Sequence, residues 1–253
     1  MTPEPDSKLV TLFCPSPNIE PRKEGRTPDL LLLHYTGMES AEGALAWLTT
    51  PESKVSCHYL VDEEGRITQM VAEEMRAWHA GRAFWAGEED INSCSIGIEI
   101  HNPGHEFGYP DFPESQMKAV EALCRDILER NDIPPQRVLA HSDVAPGRKA
   151  DPGEKFDWQR LAKAGAGLWV EPEPVGSDDG LGPGDEGEEV CRLQKAFNQF
   201  GYGLEPGGSY DDQTLTVVRA FQQHWRPTKV DGLADHSTLA TLERLKVALT
   251  HSA

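Results

Sequence analysis

The chain has 253 residues, 38% of them hydrophobic, enough for one large domain or a large domain with a small one, each around its own core. Its 24 Lys and Arg against 42 Asp and Glu leave a net charge of −18, which excludes a general nucleic-acid or anionic-membrane binder working by long-range attraction. No apolar run reaches the length of a membrane span and Met1–Val10 lacks the apolar core of a secretory signal, so the expectation is a soluble globular protein of the cytoplasm.

Five cysteines (Cys14, Cys57, Cys94, Cys124, Cys191) are widely spaced with no Cys-x-x-Cys pair. They read as buried reduced thiols, not as a disulfide framework or a thiolate zinc site. The run Leu30–Leu33 ending in His34, Tyr35 and Thr36 suits a strand buried on both faces with His34 at its exit. A lone histidine there is equally a hydrogen-bonded core residue. Ser40 is placed to cap a helix through Leu45, Trp47 and Leu48, stopped by Thr49-Thr50-Pro51. Cys57–Val61 and Arg66–Val71 flank Asp62-Glu63-Glu64-Gly65 as a hairpin, with glycine where the turn needs positive φ and His58 in a structural role.

Met75–Trp85 has no clean period and reads as a loop whose Trp78, His79 and Trp85 suit a cleft wall. From Ser95 to Asn102 the residues alternate: Ile96, Ile98 and Ile100 share one face, Gly97, Glu99 and His101 the other. If that second face meets a cleft, Glu99 is a candidate general base. Met117, Val120, Leu123, Cys124, Ile127 and Leu128 recur at helical spacing after Pro113, which suits a first turn. Arg137–Ala140 is a short strand, and the Gly/Pro-punctuated loop from His141 to Gly153 gathers His141, Lys149 and Asp151. Neutral histidine and aspartate bind zinc, and lysine stabilises an oxyanion, although a strand-end histidine and a turn aspartate need no such role. Asp157–Ala162 reads as a short closing helix, which makes residues 1–170 an α/β domain with a mixed central sheet flanked by helices.

Residues 171–189 hold eight acidic residues and no Lys or Arg among Pro and Gly, the composition of a linker. In 190–253, apolar spacing marks three helices, around Val190–Phe200, Leu215–Phe221 and Leu239–Leu249. Gly208–Leu215 and Gly232–Leu239 repeat the pattern Gly-x-x-Asp-x-x-Thr-Leu, each a turn feeding a helix with the Asp or the residue after it available as a cap. The expectation is a small all-α binding module with internal pseudo-symmetry.

Taken together, Leu-Leu-Leu-His34-Tyr-Thr, Ser56-Cys-His-Tyr-Leu-Val, Ala77-Trp-His-Ala-Gly81, Ser95-Ile-Gly-Ile-Glu99 and His141-Ser-Asp through Gly147-Arg-Lys149-Ala-Asp151-Pro-Gly form five ordered motifs. Over about residues 28–170 the chain resembles the zinc-dependent N-acetylmuramoyl-L-alanine amidases of the type 2 family, which also includes the peptidoglycan recognition proteins. The nearest branch is similar to the bacterial amidases that cleave muropeptides, including those with a 1,6-anhydro sugar. The resemblance implies Zn2+ held by His34, His141 and Asp151 with an open fourth position, Glu99 as the proton-transfer group and Lys149 on the oxyanion. It assigns Trp78, His79 and Asn102 to sugar or peptide. Cys57 stands where some branches carry a tyrosine, so proton transfer rests on Glu99 alone.

Residues 187–250 resemble the three-helix peptidoglycan-binding module through Leu193-Gln194, Thr214-Leu215, Phe221-Gln222 and Asp231-Gly232. They depart from it at Gly207-Gly208 and at His224-Trp-Arg-Pro227, which leaves both wall binding and packing on the first domain open. The implied activity is hydrolysis of the amide between the lactyl group of N-acetylmuramic acid and L-alanine, in peptidoglycan recycling or turnover. The partners are muropeptides or intact peptidoglycan. The alternative is a recognition protein of the same fold that binds muropeptide without cutting it. The missing signal favours the cytoplasm, and the wall-binding resemblance favours the envelope.

Overall fold

The structure is a computed structural model that describes residues 4–178 and 180–251; Asp179 of the acidic stretch, and residues 1–3 and 252–253, lie outside it. In chain order the elements are β1 (Leu12–Phe13), β2 (Ile19–Pro21), β3 (Leu30–Tyr35), α1 (Ala41–Leu48), β4 (Tyr59–Val61), β5 (Ile67–Gln69), β6 (Met75–Ala77), α2 (Ile91–Cys94), β7 (Ser95–Ile100), α3 (Glu114–Asn131), β8 (Val138–Ala140), α4 (His141–Val144) and α5 (Trp158–Lys163). Three helices follow: α6 (Glu188–Phe200), α7 (Asp212–Trp225) and α8 (His236–His251). No helix among the described residues is long and apolar enough to cross a membrane.

A six-stranded mixed sheet in the order β1-β5-β4-β7-β3-β8 forms the centre, parallel except for the β4–β5 hairpin. Leu30, Leu31, Leu32 and Leu33 are all fully buried, as a strand covered on both faces requires. Leu31 and Leu33 join Ile96, Ile98 and Ile100 and the apolar stripe of α3 in one cluster. Leu30 and Leu32 join the other, which continues through Trp85 and Val144 into Phe197, Tyr202, Phe221 and Trp225 of the helical region. The α/β unit and the three-helix unit therefore share a core.

Local rules account for most element ends. Ser40 caps α1 by accepting from Gly43 N, and Gly65 takes φ +82 in the hairpin. Asp211 and Asp235, the repeated aspartates, accept from Thr214 N and Thr238 N at 2.8 Å each and so open α7 and α8 alike.

Four local expectations change. Pro113 is the N-cap of α3 and not part of its first turn. Met75–Ala77, expected as loop, is a strand paired antiparallel with β2, because backbone pairing to Ile19–Pro21 replaces the missing side-chain period. His141 opens a single helical turn, since Asp143 accepts from Ala140 N at 2.8 Å and turns the chain at the strand end. Trp85 is no cleft wall: it is buried against Phe200 and Tyr202. Within 171–189, Leu181 and Glu186 bridge to Ala234 and Ser209, while Glu173 N donates to Thr241 Oγ1 at 3.2 Å, so this stretch lies along the helical unit.

Candidate active site

The site forms on the sheet face that carries Glu99, because β3 and β7 run parallel with His34 and Glu99 as register partners. β8 on the other flank of β3 delivers His141 beside His34. Asp151 returns from the loop that follows α4, held by Ser142 N donating to its carbonyl at 3.0 Å. His34 Nδ1 lies 2.8 Å from His141 Nδ1 and 3.1 Å from Asp151 Oδ2, which is 2.9 Å from His141 Nδ1. All three residues are buried.

The other ring nitrogens are spoken for. His141 Nε2 donates to Ala80 O at 3.0 Å, so its Nδ1 carries a lone pair toward the centre. His34 Nε2 meets His79 Nδ1 at 3.0 Å, His79 Nε2 meets Ser95 Oγ at 3.3 Å, and Ser95 Oγ donates to Ile91 O at 2.5 Å. Read from that carbonyl backward, the chain leaves each imidazole donating through Nε2 and His34 Nδ1 free as a ligand. Burial and the neighbouring His141 pull His34 down to about 4, so it is neutral at neutral pH. Burial opposes charge on Asp151, yet His141 and His34 hold its carboxyl well below the usual carboxylate range.

Two lone pairs and one carboxylate oxygen thus converge on a point, the donor chemistry of zinc. Their spacing is close to the separation of neighbouring ligands around an ion bonded at about 2.0–2.2 Å. His34, Cys57 and His79 make a second possible group. Burial, and then Glu99, push the Cys57 thiol well above its usual range, away from the thiolate a metal needs. The His34–His141–Asp151 face is therefore the better metal site.

A cleft of about 230 Å³ opens over this face. The buried triad and Glu99 line it from within, while the exposed Lys149 and the apolar Met38, Trp47, Val55 and Trp78 border it. Glu99 Oε2 is buried without a hydrogen-bond partner. Burial, then the Asp151 charge, raise its carboxyl well above the ordinary range, against the pull of Lys149. Trp78 is pinned to the wall because its N–H donates to Ser56 Oγ at 2.9 Å and its carbonyl accepts from Ser56 N at 3.1 Å, while its indole Nε1 stays unpaired.

Of the site residues expected from the sequence, His34, His141, Asp151, Glu99, Lys149, Trp78 and His79 line this one cleft. Asn102 does not. Its amide nitrogen donates to Pro110 O at 2.9 Å and its Oδ1 accepts from Gly104 N at 2.9 Å, so it shapes the loop after β7.

Sequence reasoning missed three supports. A Cβ on Gly97 would lie 2.6 Å from His79 Nδ1 and 2.8 Å from Cys57 Sγ, so only glycine lets that imidazole lie against β7. Trp47, an ordinary helix residue in the apolar pattern, stands at the cleft rim. Arg22 is buried and donates to the carbonyls of Glu73, Asn92, Ser93 and Ser95 at 2.8–3.3 Å. Nothing local marks it, since Lys23 and Arg26 stand beside it as equal cations.

A buried pair of histidines with one carboxylate, an unpaired glutamate beside them and an open cleft are the side-chain set that metal-assisted hydrolases use. Residues 24–154 match the family described as N-acetylmuramoyl-L-alanine amidase, and residues 186–242 match a putative peptidoglycan binding domain. The chain belongs to the N-acetylmuramoyl-L-alanine amidase family, whose enzymes depend on zinc in general. It is 36% identical over 228 residues to the N-acetylmuramoyl-L-alanine amidase AmiD of Escherichia coli, covering 85% of this chain and 81% of that one. With the 1,6-anhydro-N-acetylmuramyl-L-alanine amidase AmpD of E. coli the identity is 32% over 164 residues, covering 58% of this chain and 87% of that one. The structure of AmiD in complex with anhydro-N-acetylmuramic acid-L-Ala-D-γ-Glu-L-Lys matches 90% of this chain and 92% of that one, with a TM-score of 0.75 and 34% identity. AmpDh3 of Pseudomonas aeruginosa in complex with anhydromuramic pentapeptide matches 91% and 95%, with a TM-score of 0.74 and 32% identity.

Proposed function

We propose that the protein hydrolyses the amide between the lactyl group of N-acetylmuramic acid, including its 1,6-anhydro form, and L-alanine of the stem peptide, with zinc held by His34, His141 and Asp151. The observation that carries this reading is the unpaired Glu99 Oε2 beside the convergent triad, in one cleft. When bound, zinc supplies Lewis-acid chemistry, acidifying water and polarising a carbonyl. Glu99 takes the proton from the attacking water and hands it to the departing L-alanine nitrogen; its raised affinity for protons suits the second half of that transfer. Lys149 at the cleft places its charge on the developing oxyanion. Trp78, and Trp47 on the facing helix, supply flat apolar surface for sugar or peptide. His79 acts through His34, whose ring it orients. A non-catalytic recognition role would need none of Glu99, Lys149 and three convergent ligand atoms at once, and all are here.

The test is a mass-spectrometric product assay on the purified protein, with and without chelator, offering an anhydro-muropeptide and intact peptidoglycan sacculi. Free stem peptide, lost with chelator and regained with zinc, is the expected result. Release from the soluble fragment alone favours recycling in the cytoplasm, and release from sacculi favours turnover at the envelope. If neither substrate is cut with zinc restored, the amidase reading fails for this chain.

A further inference from the structure

The metal-presenting turn α4 cannot hold its own shape. It is four residues long, a single turn that ends with Ala145 N on His141 O at 3.0 Å, too short to be stable alone, so its conformation must be imposed from outside. The group that imposes it is Asp143, two residues after His141 and fully buried. Its Oδ2 accepts from Ala140 N at 2.8 Å and from His224 Nδ1 at 2.6 Å, and its Oδ1 accepts from Tyr202 OH at 2.9 Å. Two of those three donors belong to the three-helix domain. A buried carboxylate stripped of such partners is costly, so this set fixes where Asp143 and the turn can sit.

The donors are themselves held. The His224 ring is stacked between Trp158 of α5 and Trp225, with ring centroids 3.7 Å away on each side, and is 1% exposed. Tyr202 packs on Trp85 at 5.0 Å. A second strut reaches the far side of His141. Its Nε2 rests on Ala80 O, and a few residues on, Phe84 N donates to Val144 O and Ala86 N donates to Gly201 O, both at 2.8 Å. Gly201 allows the contact, since a Cβ there would lie 2.7 Å from the Trp85 ring. The three-helix domain therefore grips the turn that carries His141 and the segment that accepts from its Nε2. A wall anchor tethered by a linker needs neither strut.

We propose that the three-helix domain is a working part of the metal site, and that its Tyr202 and His224 are positioning residues which, through Asp143, hold the turn presenting His141 to the ion. The His224-Trp-Arg-Pro227 departure from the usual module then has a function. The inference rests on the zinc reading given above.

The experiment uses the full chain, stripped of metal, and measures zinc affinity by competition with a chromophoric chelator, alongside kcat, KM and the melting temperature. Tyr202→Phe removes one hydroxyl, His224→Leu removes one donor, and His224→Asn keeps an N–H near the Nδ1 position. Tyr202→Phe and His224→Leu are expected to weaken zinc binding by roughly tenfold, the low end of what partners of metal ligands contribute, and to lower kcat at unchanged KM. His224→Asn is expected to restore both. Lower melting temperatures with native zinc affinity and kcat, read where the variants are folded, would show packing alone and overturn the inference. If His224→Leu does not fold, Tyr202→Phe decides by the same criteria. A native chain that takes up no zinc overturns the zinc reading and this inference together, whereas native uptake with unaltered variants overturns the inference only.

Discussion

Glu99 and Asp143 lie on the same α/β unit, each with its carboxylate removed from bulk water, and they are treated in opposite ways. Asp143 accepts from a backbone N–H, a tyrosine and a histidine, and sits at the seam with the helical domain. Glu99 keeps Oε2 buried and unpaired, and the Asp151 charge beside it makes ionisation harder still. Folding alone would have paired or removed such a group, because an orphaned buried acceptor costs about 1–3 kcal/mol. On the proposed reading, the difference separates a carboxylate that holds structure from one kept for chemistry, and it is open to direct attack.

The largest effect is expected at the triad that gives Glu99 its task. Asp151→Asn removes the anionic ligand and leaves two neutral imidazoles, so zinc content should fall and hydrolysis should drop by about 10³-fold or more. Elemental analysis of the purified variant beside a muropeptide rate assay reads both. Near-native rates with full zinc would show that the ion sits elsewhere, with the Cys57 group as the next place to look.

Glu99→Gln and Asp143→Asn are the crossed pair. Glu99→Gln should reduce kcat by roughly 10²–10⁴ while the melting temperature holds or rises, because a neutral amide tolerates the dry pocket better. Asp143→Asn should cost about 3–5 kcal/mol in urea unfolding, since it breaks a buried, fully paired carboxylate. Asp235 of the helical domain belongs with Asp143: it is buried, takes Arg226 Nη2 at 3.2 Å, and its removal would strand that guanidinium. A stable, inactive Asp143→Asn or an unfolded Glu99→Gln would break the contrast.

How far this contrast was legible in the sequence depended on range. The buried strand at Leu30–Leu33, the alternation at Ser95–Ile100 and the stripe of α3 follow from local periodicity, and the structure has all three. The alternation even put Glu99 on the face opposite Ile96, Ile98 and Ile100. Periodicity could not show that His34 and Asp151, 117 residues apart, meet; their pairing came from family resemblance, and strand order explains it. Nor could it find β6, which pairs with the distant β2, or Trp85 and Asp143, whose roles come from a second domain more than 50 residues away. Arg22 was invisible for the same reason, since its carbonyl acceptors all lie 51 or more residues along the chain.

Gly97 offers a smaller, sharper probe of the site half. Gly97→Ala drives a methyl into His79 and Cys57 from the strand that carries Glu99, and overpacking of this kind costs about 1–3 kcal/mol. The displaced His79 can no longer orient His34, so kcat should fall while KM stays near native. A loss of stability without a change in kcat would confine His79 to packing.

The smallest effect is expected at Asp211, the repeat partner of Asp235. It caps α7 as Asp235 caps α8, accepting from Thr214 N and Thr214 Oγ1 at 2.8 Å each, yet it is exposed and holds no buried guanidinium. Asp211→Ala should therefore cost only about 1 kcal/mol, the ordinary worth of an N-cap, with zinc affinity and kcat unchanged. Asp235→Ala should cost several times more, although the motif around the two residues is the same. Equal losses in parallel urea titrations would mean that the cap alone sets the worth of these aspartates, and that buried pairing, the property that sets Asp143 apart from Glu99, adds nothing.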